Sequence, residues 1–155
     1  MSDADAKVVS DINEYGWHVV KVFSKSGGPD FAYSIGLYES FRHSEILVVG
    51  LALDTMHQIV NNIGADVKTG KTLESGSQYA DILDNYDCAF REVLKDYYAD
   101  LFGWGMSHYK GTEFPAIQCV WPNRDHRFPW DSDSDSNFKQ AQPTYDRPPT
   151  DLIAS

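Results

Sequence analysis

The stretch FAYSIGLYESFRHSEILVVGL, residues 31–51, determines the fold. In its first part, residues 31–37, large side chains alternate with Ala32, Ser34 and Gly36, which predicts a strand with one bare face. A helix, another backbone or a ligand can approach such a face closely, and close packing is the favoured interpretation. In its second part, residues 45–51 are apolar on both faces after Glu45. This pattern predicts a central strand that is covered on both sides.

The flanking segments show helical and strand patterns in an irregular order. Apolar residues at steps of three and four predict helices over residues 3–15, 55–64 and 94–102. Strand composition marks residues 17–24, 86–94 and 114–121, whereas residues 71–80 have the composition of a loop. Because regular βαβ alternation is missing, we expect the α+β class: a single domain with a mixed or mostly antiparallel sheet of about five strands and about three helices.

The chain length of 155 residues fits one domain. After Trp130, Asp and Ser alternate over six residues with no apolar side chain. We therefore expect a globular domain at residues 1–130 and an irregular, acidic, proline-containing tail at residues 131–155, either flexible or lying on the surface. The acidic N-terminus lacks an apolar stretch, and no apolar run approaches the roughly 18 residues of a membrane span. These features predict a cytoplasmic protein.

The charge is strongly negative, with 13 basic and 23 acidic residues and a formal net charge of −10. This balance repels nucleic acid and anionic membranes and favours a basic protein partner. The acidic residues that we expect at the partner-binding surface are Asp81, Asp84, Asp87, Glu92, Asp96 and Asp100. The same residues also fit a solvated face that only keeps the protein soluble.

The stretch WPNRDHRFPW, residues 121–130, places turn-forming residues between two apolar brackets. It predicts an exposed turn that Trp121 and Trp130 anchor to the core. A recognition rim is the alternative, because Trp and Arg dominate binding hot spots. We therefore add Trp121, Arg124, Asp125 and Trp130 to the predicted partner-binding residues.

Catalytic and metal-binding signatures are absent from the sequence. His43, Glu45 and His126 do not have the spacing of a zinc site. Cys119 with His43 or His126 is the one Cys–His pair worth considering, but Cys119 lies in an apolar strand, where a thiol is unreactive. We expect Cys88 and Cys119 to be buried thiols. No catalytic residue, metal or cofactor is therefore predicted.

Several short motifs are distinctive in combination. They are Tyr33-Ser34-Ile35-Gly36-Leu37, His43-Ser44-Glu45, Val48-Val49-Gly50-Leu51, Gln118-Cys119-Val120-Trp121-Pro122-Asn123, Phe128-Pro129-Trp130 and Gln142-Pro143. Together they resemble the bacterial domain-of-unknown-function 4262 family over roughly residues 16–143. The family pattern has Pro in place of Ser44 and Asp in place of Asn123, and the second difference weakens any mechanism that needs a carboxylate there. The resemblance implies the fold and a bacterial cytoplasmic setting, but no function.

Two functional hypotheses remain open. The first is a non-catalytic binding protein, an immunity- or antitoxin-type inhibitor that occludes a cationic bacterial toxin or enzyme, with acidic faces that steer association. The second is a small enzyme or ligand-binding module with a site near Tyr33, His43 and Glu45, beside the bare face of the first strand. A pocket that holds histidines would favour the second hypothesis, and a flat acidic surface the first.

Overall fold

The computed structural model describes residues 3–24 and 27–147, which form an α+β domain around one six-stranded sheet. The elements are α1 Asp3–Tyr15, β1 His18–Val22, β2 Phe31–Ile35, α2 Leu37–Phe41, β3 Glu45–Val49, α3 Leu53–Lys68, β4 Gln78–Leu83, β5 Tyr86–Glu92, a 3₁₀ turn Lys95–Tyr97, α4 Tyr98–Leu101, α5 Gly103–Tyr109, β6 Ala116–Val120 and α6 Ser136–Ala141. The predicted class is confirmed. The described residues contain six strands and six helices instead of about five and about three.

The sheet is mixed, with the strand order β1-β2-β3-β6-β5-β4. Only the β3–β6 pair is parallel among the described strands, with Ile46 opposite Ile117. All five residues of β3 are buried, as are all five of β6. The apolar run after Glu45 therefore forms a central strand, as predicted.

One face of the sheet is covered by α3. Its buried side chains pack against the inner strands; they are Met56, Ile59, Val60, Ile63 and Val67. Ala32 belongs to the same cluster, so the bare face of β2 accommodates the close approach of this helix. Gly64 of α3 lies so near Trp17 that a Cβ atom there would be 2.5 Å from the indole ring. The interpretation of close packing is confirmed.

The opposite face carries α1 and an aromatic cluster around α4 and α5. The Tyr98 and Phe102 rings have centroids 5.0 Å apart, and the Tyr33 and Phe102 rings 4.9 Å apart. Both pairs have the edge-to-face geometry that aromatic rings favour. The continuous helix predicted over residues 94–102 is wrong, because the chain makes a 3₁₀ turn first and Phe102, at ψ 42°, separates α4 from α5.

The edge strand β4 begins inside the segment that was predicted to be a loop. Three of its six residues are exposed, and the register shifts between Tyr79 and Leu83, where Asp81 has a φ of 68°. A bulged edge strand that is half exposed lacks the regular apolar alternation that marks a half-buried strand. This explains why its composition indicated a loop.

Residues 131–147 pack on the domain and include the short helix α6, where the sequence predicted an irregular tail that is either flexible or lies on the surface. Asp135 caps α6 by accepting the Phe138 N–H at 2.8 Å. Ser134 is buried and donates to the Phe128 carbonyl, although the Asp-Ser run was expected to stay outside the core. Gln142 is fully buried. Residues 148–155, the rest of the predicted tail, lie outside the described residues.

Candidate functional site

The acidic residues of the predicted surface are all exposed, but they separate into two groups. Asp84 and Asp87 lie at the turn of the β4–β5 hairpin, with Asp81 in the bulge of β4. Glu92 ends β5, and Asp96 and Asp100 follow it in the 3₁₀ turn and α4, as their positions in the chain require. Asp87 and Glu92 are five residues apart in an extended strand, which is about 16 Å. The structure therefore does not bring the six acids together.

The centre of the 121–130 stretch is a tight turn that Asn123 organises. Its Oδ1 accepts the backbone N–H groups of Asp125 at 2.9 Å and of Arg127 at 3.0 Å. The Asn123 N–H donates in turn to the Arg127 carbonyl at 2.8 Å, and His126 has a φ of 64°. An Asp side chain would offer the same acceptor. The residue at position 123 thus shapes the turn. Asn123, which stands where the family pattern has Asp, keeps both hydrogen bonds from its side-chain oxygen.

Both tryptophans of this stretch are half-buried and hold the turn against the sheet. The Trp121 indole N–H donates to the Val49 carbonyl at 2.7 Å, and its ring contacts Phe138. The Trp130 ring stacks on Phe128, with centroids 5.1 Å apart. Arg124 lies between these anchors and is exposed. An anchored turn with an exposed tip is the arrangement that the sequence predicted.

The exposed turn and the hairpin turn meet in one surface, defined here as the tip surface: Asp84, Tyr86, Asp87, Asp125 and His126. The Tyr86 and His126 rings join the two turns, with centroids 4.8 Å apart. None of the three carboxylates forms an ion pair within 4.0 Å with any described residue. The tip surface therefore presents three carboxylates without ion pairs beside two aromatic rings, with Arg124 as the neighbouring exposed cation.

Glu45 is buried and accepts five hydrogen bonds. Three come from backbone N–H groups at the start of α2, those of Gly36, Leu37 and Tyr38, at 2.9–3.3 Å. The hydroxyls of Ser34 and Tyr109 donate at 2.7 and 2.5 Å. Burial raises the pKa of Glu45, whereas the hydrogen bonds from Tyr109, Ser34 and the backbone oppose that rise. The carboxylate acts as the N-terminal cap of α2, so its oxygens are occupied within the fold.

His43 and Tyr33, the other members of the predicted enzyme site, are also engaged. Since His43 Nε2 accepts the Leu73 N–H at 2.9 Å, its Nδ1 carries the proton and donates to the Ser44 carbonyl at 2.8 Å. The Tyr33 hydroxyl accepts the Trp104 N–H, and burial raises the pKa of Tyr33 to about 12. A groove of about 350 Å³ is lined by His43 but not by Tyr33 or Glu45. This groove therefore does not unite the three residues, since Tyr33 and Glu45 are buried away from it.

Cys88 and Cys119 are buried free thiols, as predicted. The hydrogen bond with Cys88 and burial raise the pKa of Cys119 well above its ordinary value. In the part of the chain that the structure describes, no group of three or more His, Cys, Asp or Glu side chains could hold a metal ion. No helix among these residues is long and apolar enough to cross a bilayer.

One polar pair that the sequence did not reveal is Asp11 with His18. Asp11 Oδ2 lies 2.7 Å from His18 Nδ1, and Lys7 donates to Oδ1 at 2.8 Å, beside a cavity of about 480 Å³. Burial by itself raises the pKa of Asp11, but the hydrogen bonds from Lys7 and His18 outweigh it and lower the pKa. The pair spans the α1–β1 boundary, so neither a helical nor a strand period relates the two residues.

Comparison with known proteins identifies a family. The model of the family described as Domain of unknown function (DUF4262) matches residues 11–135. No curated protein and no solved structure matches the chain significantly. Because the matched region covers most of the chain and spans the sheet, Glu45 and the anchored turn, this protein belongs to the DUF4262 family.

Proposed function

We propose that this chain is a non-catalytic, cytoplasmic binding protein that docks on a basic protein partner through the tip surface. The single observation that supports this proposal most strongly is the meeting of two exposed turns through Tyr86 and His126, flanked by three unpaired carboxylates. Occlusion of a cationic toxin or enzyme, as an immunity or antitoxin protein would achieve it, is the mechanism that such a surface suits.

Rigidity of the turn favours binding. The Asn123 side chain holds the 123–127 turn with two hydrogen bonds, and Trp121 and Trp130 fasten its ends. A surface that is already in its binding conformation loses little conformational entropy on association. Uncompensated carboxylates attract a cationic partner and speed the encounter, and aromatic side chains supply contact area.

The engagement of Glu45 and His43, the residues of the alternative enzyme hypothesis, is consistent with a binding role. Glu45 caps α2 with five hydrogen bonds, and both ring nitrogens of His43 are used within the fold. A general base or acid has to reach the proton of a substrate. These two side chains would have to break structural hydrogen bonds to do so.

Affinity capture followed by kinetics with purified proteins tests the proposal. The tagged chain is compared with a tip variant, Asp84→Asn, Asp87→Asn and Asp125→Asn, and with a matched control, Glu92→Gln, Asp96→Asn and Asp100→Asn. Both variants remove three negative charges from exposed positions. Any captured basic protein is then purified, and its association rate with each chain is measured at several salt concentrations.

We expect the tip variant to slow association about tenfold or more, and added salt to slow the wild type in the same direction. The control should stay within about twofold, because its charges lie farther from the tip than the Debye length of about 8 Å. Equal losses in both variants, or a chain that captures no basic protein, would contradict the proposal.

A further inference from the structure

A second candidate site is a groove of about 980 Å³ between β5, Trp130 and the segment that follows it. Arg91 and Trp130 line one side, and residues of α6 and the 142–147 segment line the other. Its volume matches that of pockets that hold small molecules. The groove is separate from the tip surface, because Arg91 lies four residues along β5 from Asp87, which is about 13 Å.

Arg91 is the central cation of the groove. Its guanidinium carbon lies over the face of the Trp130 ring, 4.1 Å from the ring centroid. This is the geometry of a favourable cation–π interaction. Its Nε atom is buried and has no hydrogen-bond partner among the described residues. Native proteins rarely leave a buried donor without an acceptor, so each such atom calls for an explanation. Nε itself is closed to the groove, whereas the terminal nitrogens of the same guanidinium are not among the buried unpaired atoms, so an anion in the groove would bind through them.

Two further cations reach the same groove. Lys139 of α6 and Arg147 line it, and Asp146 is the only carboxylate among the described lining residues, which gives these residues a formal charge of +2. Neither of these cations nor Arg91 forms an ion pair within 4.0 Å in the described part of the chain. In a protein with a net charge of −10, the described lining of this groove is a local reversal of the sign of the charge. Such a reversal raises the local concentration of anions.

The walls of the groove are held in place by hydrogen bonds. The Gln142 side chain accepts the Trp121 N–H at 2.9 Å and donates to the Trp121 carbonyl at 2.8 Å. It thus pairs with both backbone groups of Trp121, in the way that the backbone of a neighbouring strand does. Gln118 Nε2 donates to the Pro143 carbonyl at 2.8 Å. The Tyr97 hydroxyl donates to the Arg147 carbonyl at 2.6 Å. The backbone of the 142–147 segment, which carries Arg147, is therefore fixed before any ligand binds.

We propose that this groove binds a small organic anion with at least two negative charges, carried by phosphate or carboxylate groups. Arg91 is the central contact, since a guanidinium matches both groups in geometry. Lys139 and Arg147 supply the remaining positive charge from the opposite wall.

Isothermal titration calorimetry tests the site with two probes, pyrophosphate for the phosphate class and citrate for the carboxylate class. Sodium chloride at matched ionic strength serves as the blank. Four chains are compared: the wild type, Arg91→Gln, the double variant Lys139→Gln with Arg147→Gln, and the control Arg124→Gln. Lys139, Arg147 and Arg124 are exposed, so the double variant and the control keep the fold even if Arg91→Gln does not.

We expect the wild type to bind at least one probe, and the groove variants to bind it about tenfold more weakly, the loss for a hydrogen bond to a charged group. The Arg124→Gln control and the tip variant should retain the wild-type affinity, which separates this site from the proposed function. The probe that binds identifies the anion class. No binding of either probe by the wild type, or equal weakening in the control, would overturn the proposal.

Discussion

Replacement of Glu45 by Gln tests the cap of α2 directly. Gln keeps one carboxylate oxygen and replaces the other with a donor, so two or three of the five hydrogen bonds lose their acceptor. Fewer hydrogen bonds are lost when the new NH₂ group takes the Oε1 position, which accepts two of the five. There the Ser34 hydroxyl can reorient, but the Leu37 N–H cannot. One buried unpaired N–H and the loss of charge-assisted bonds together cost about 2–4 kcal/mol of the free energy of unfolding.

Urea unfolding, followed by circular dichroism at neutral pH, measures this loss. We expect the midpoint concentration to fall while the slope with denaturant stays constant, since the unfolded surface does not change. In thermal unfolding, the same loss lowers Tm by about 4–16 °C for a domain of this size.

The matched control is Glu39→Gln on the same helix. Glu39 is exposed and its carboxylate contacts His108 at 3.1 Å. An exposed ion pair contributes less than about 1 kcal/mol. If Glu45→Gln destabilises the protein no more than Glu39→Gln does, the cap carries none of the stability assigned to it and this reasoning is refuted.

Two further predictions concern packing and pH. Gly64→Ala should lower Tm, because overpacking against Trp17 costs about 1–3 kcal/mol and exceeds the helix preference for Ala of about 1 kcal/mol. In a Trp17→Leu background the same change should raise Tm. A rise in Tm for Gly64→Ala in the wild-type protein would contradict the predicted clash. Burial raises the pKa of Tyr33, Tyr98 and Tyr145 to about 12. Their contribution to the free energy of unfolding is complete below the unfolded pKa of about 10 and is lost as the pH rises towards 12. Ultraviolet titration of the folded protein measures the ionisation of its tyrosines. If all nine tyrosines ionise together near pH 10, the prediction of raised pKa values is contradicted.

Local patterns predicted the elements whose signal lies within a few residues. The apolar run of β3 and the helical spacing of α3 are examples, although α3 is longer than the predicted 55–64. α2 was missed because its cap is not local. Gly36 stands at its N-cap in a left-handed conformation, and its amides are capped by Glu45 from the next strand. No Ser, Thr, Asp or Asn marks its start.

The site residues follow the same rule. The brackets of the 121–130 stretch predicted an anchored turn, since Trp and Pro beside turn-forming residues are a local signal. The contact of Tyr86 with His126 and the stacking of Arg91 on Trp130 join positions about forty residues apart in sequence. Such pairs depend on sheet register, which a single sequence does not specify.

The position of β6 has a consequence for how the chain is made. β6 is the last of the described strands to emerge in synthesis, yet it lies between β3 and β5 in the sheet. Until it arrives, β1-β2-β3 and β4-β5 are two separate antiparallel units, each with an unpaired inner edge. The edge of β3 is almost wholly apolar, and an open edge of this kind pairs readily with other chains. The nascent protein therefore depends on a late, non-local strand insertion to close both edges at once, and this step is where aggregation competes with folding.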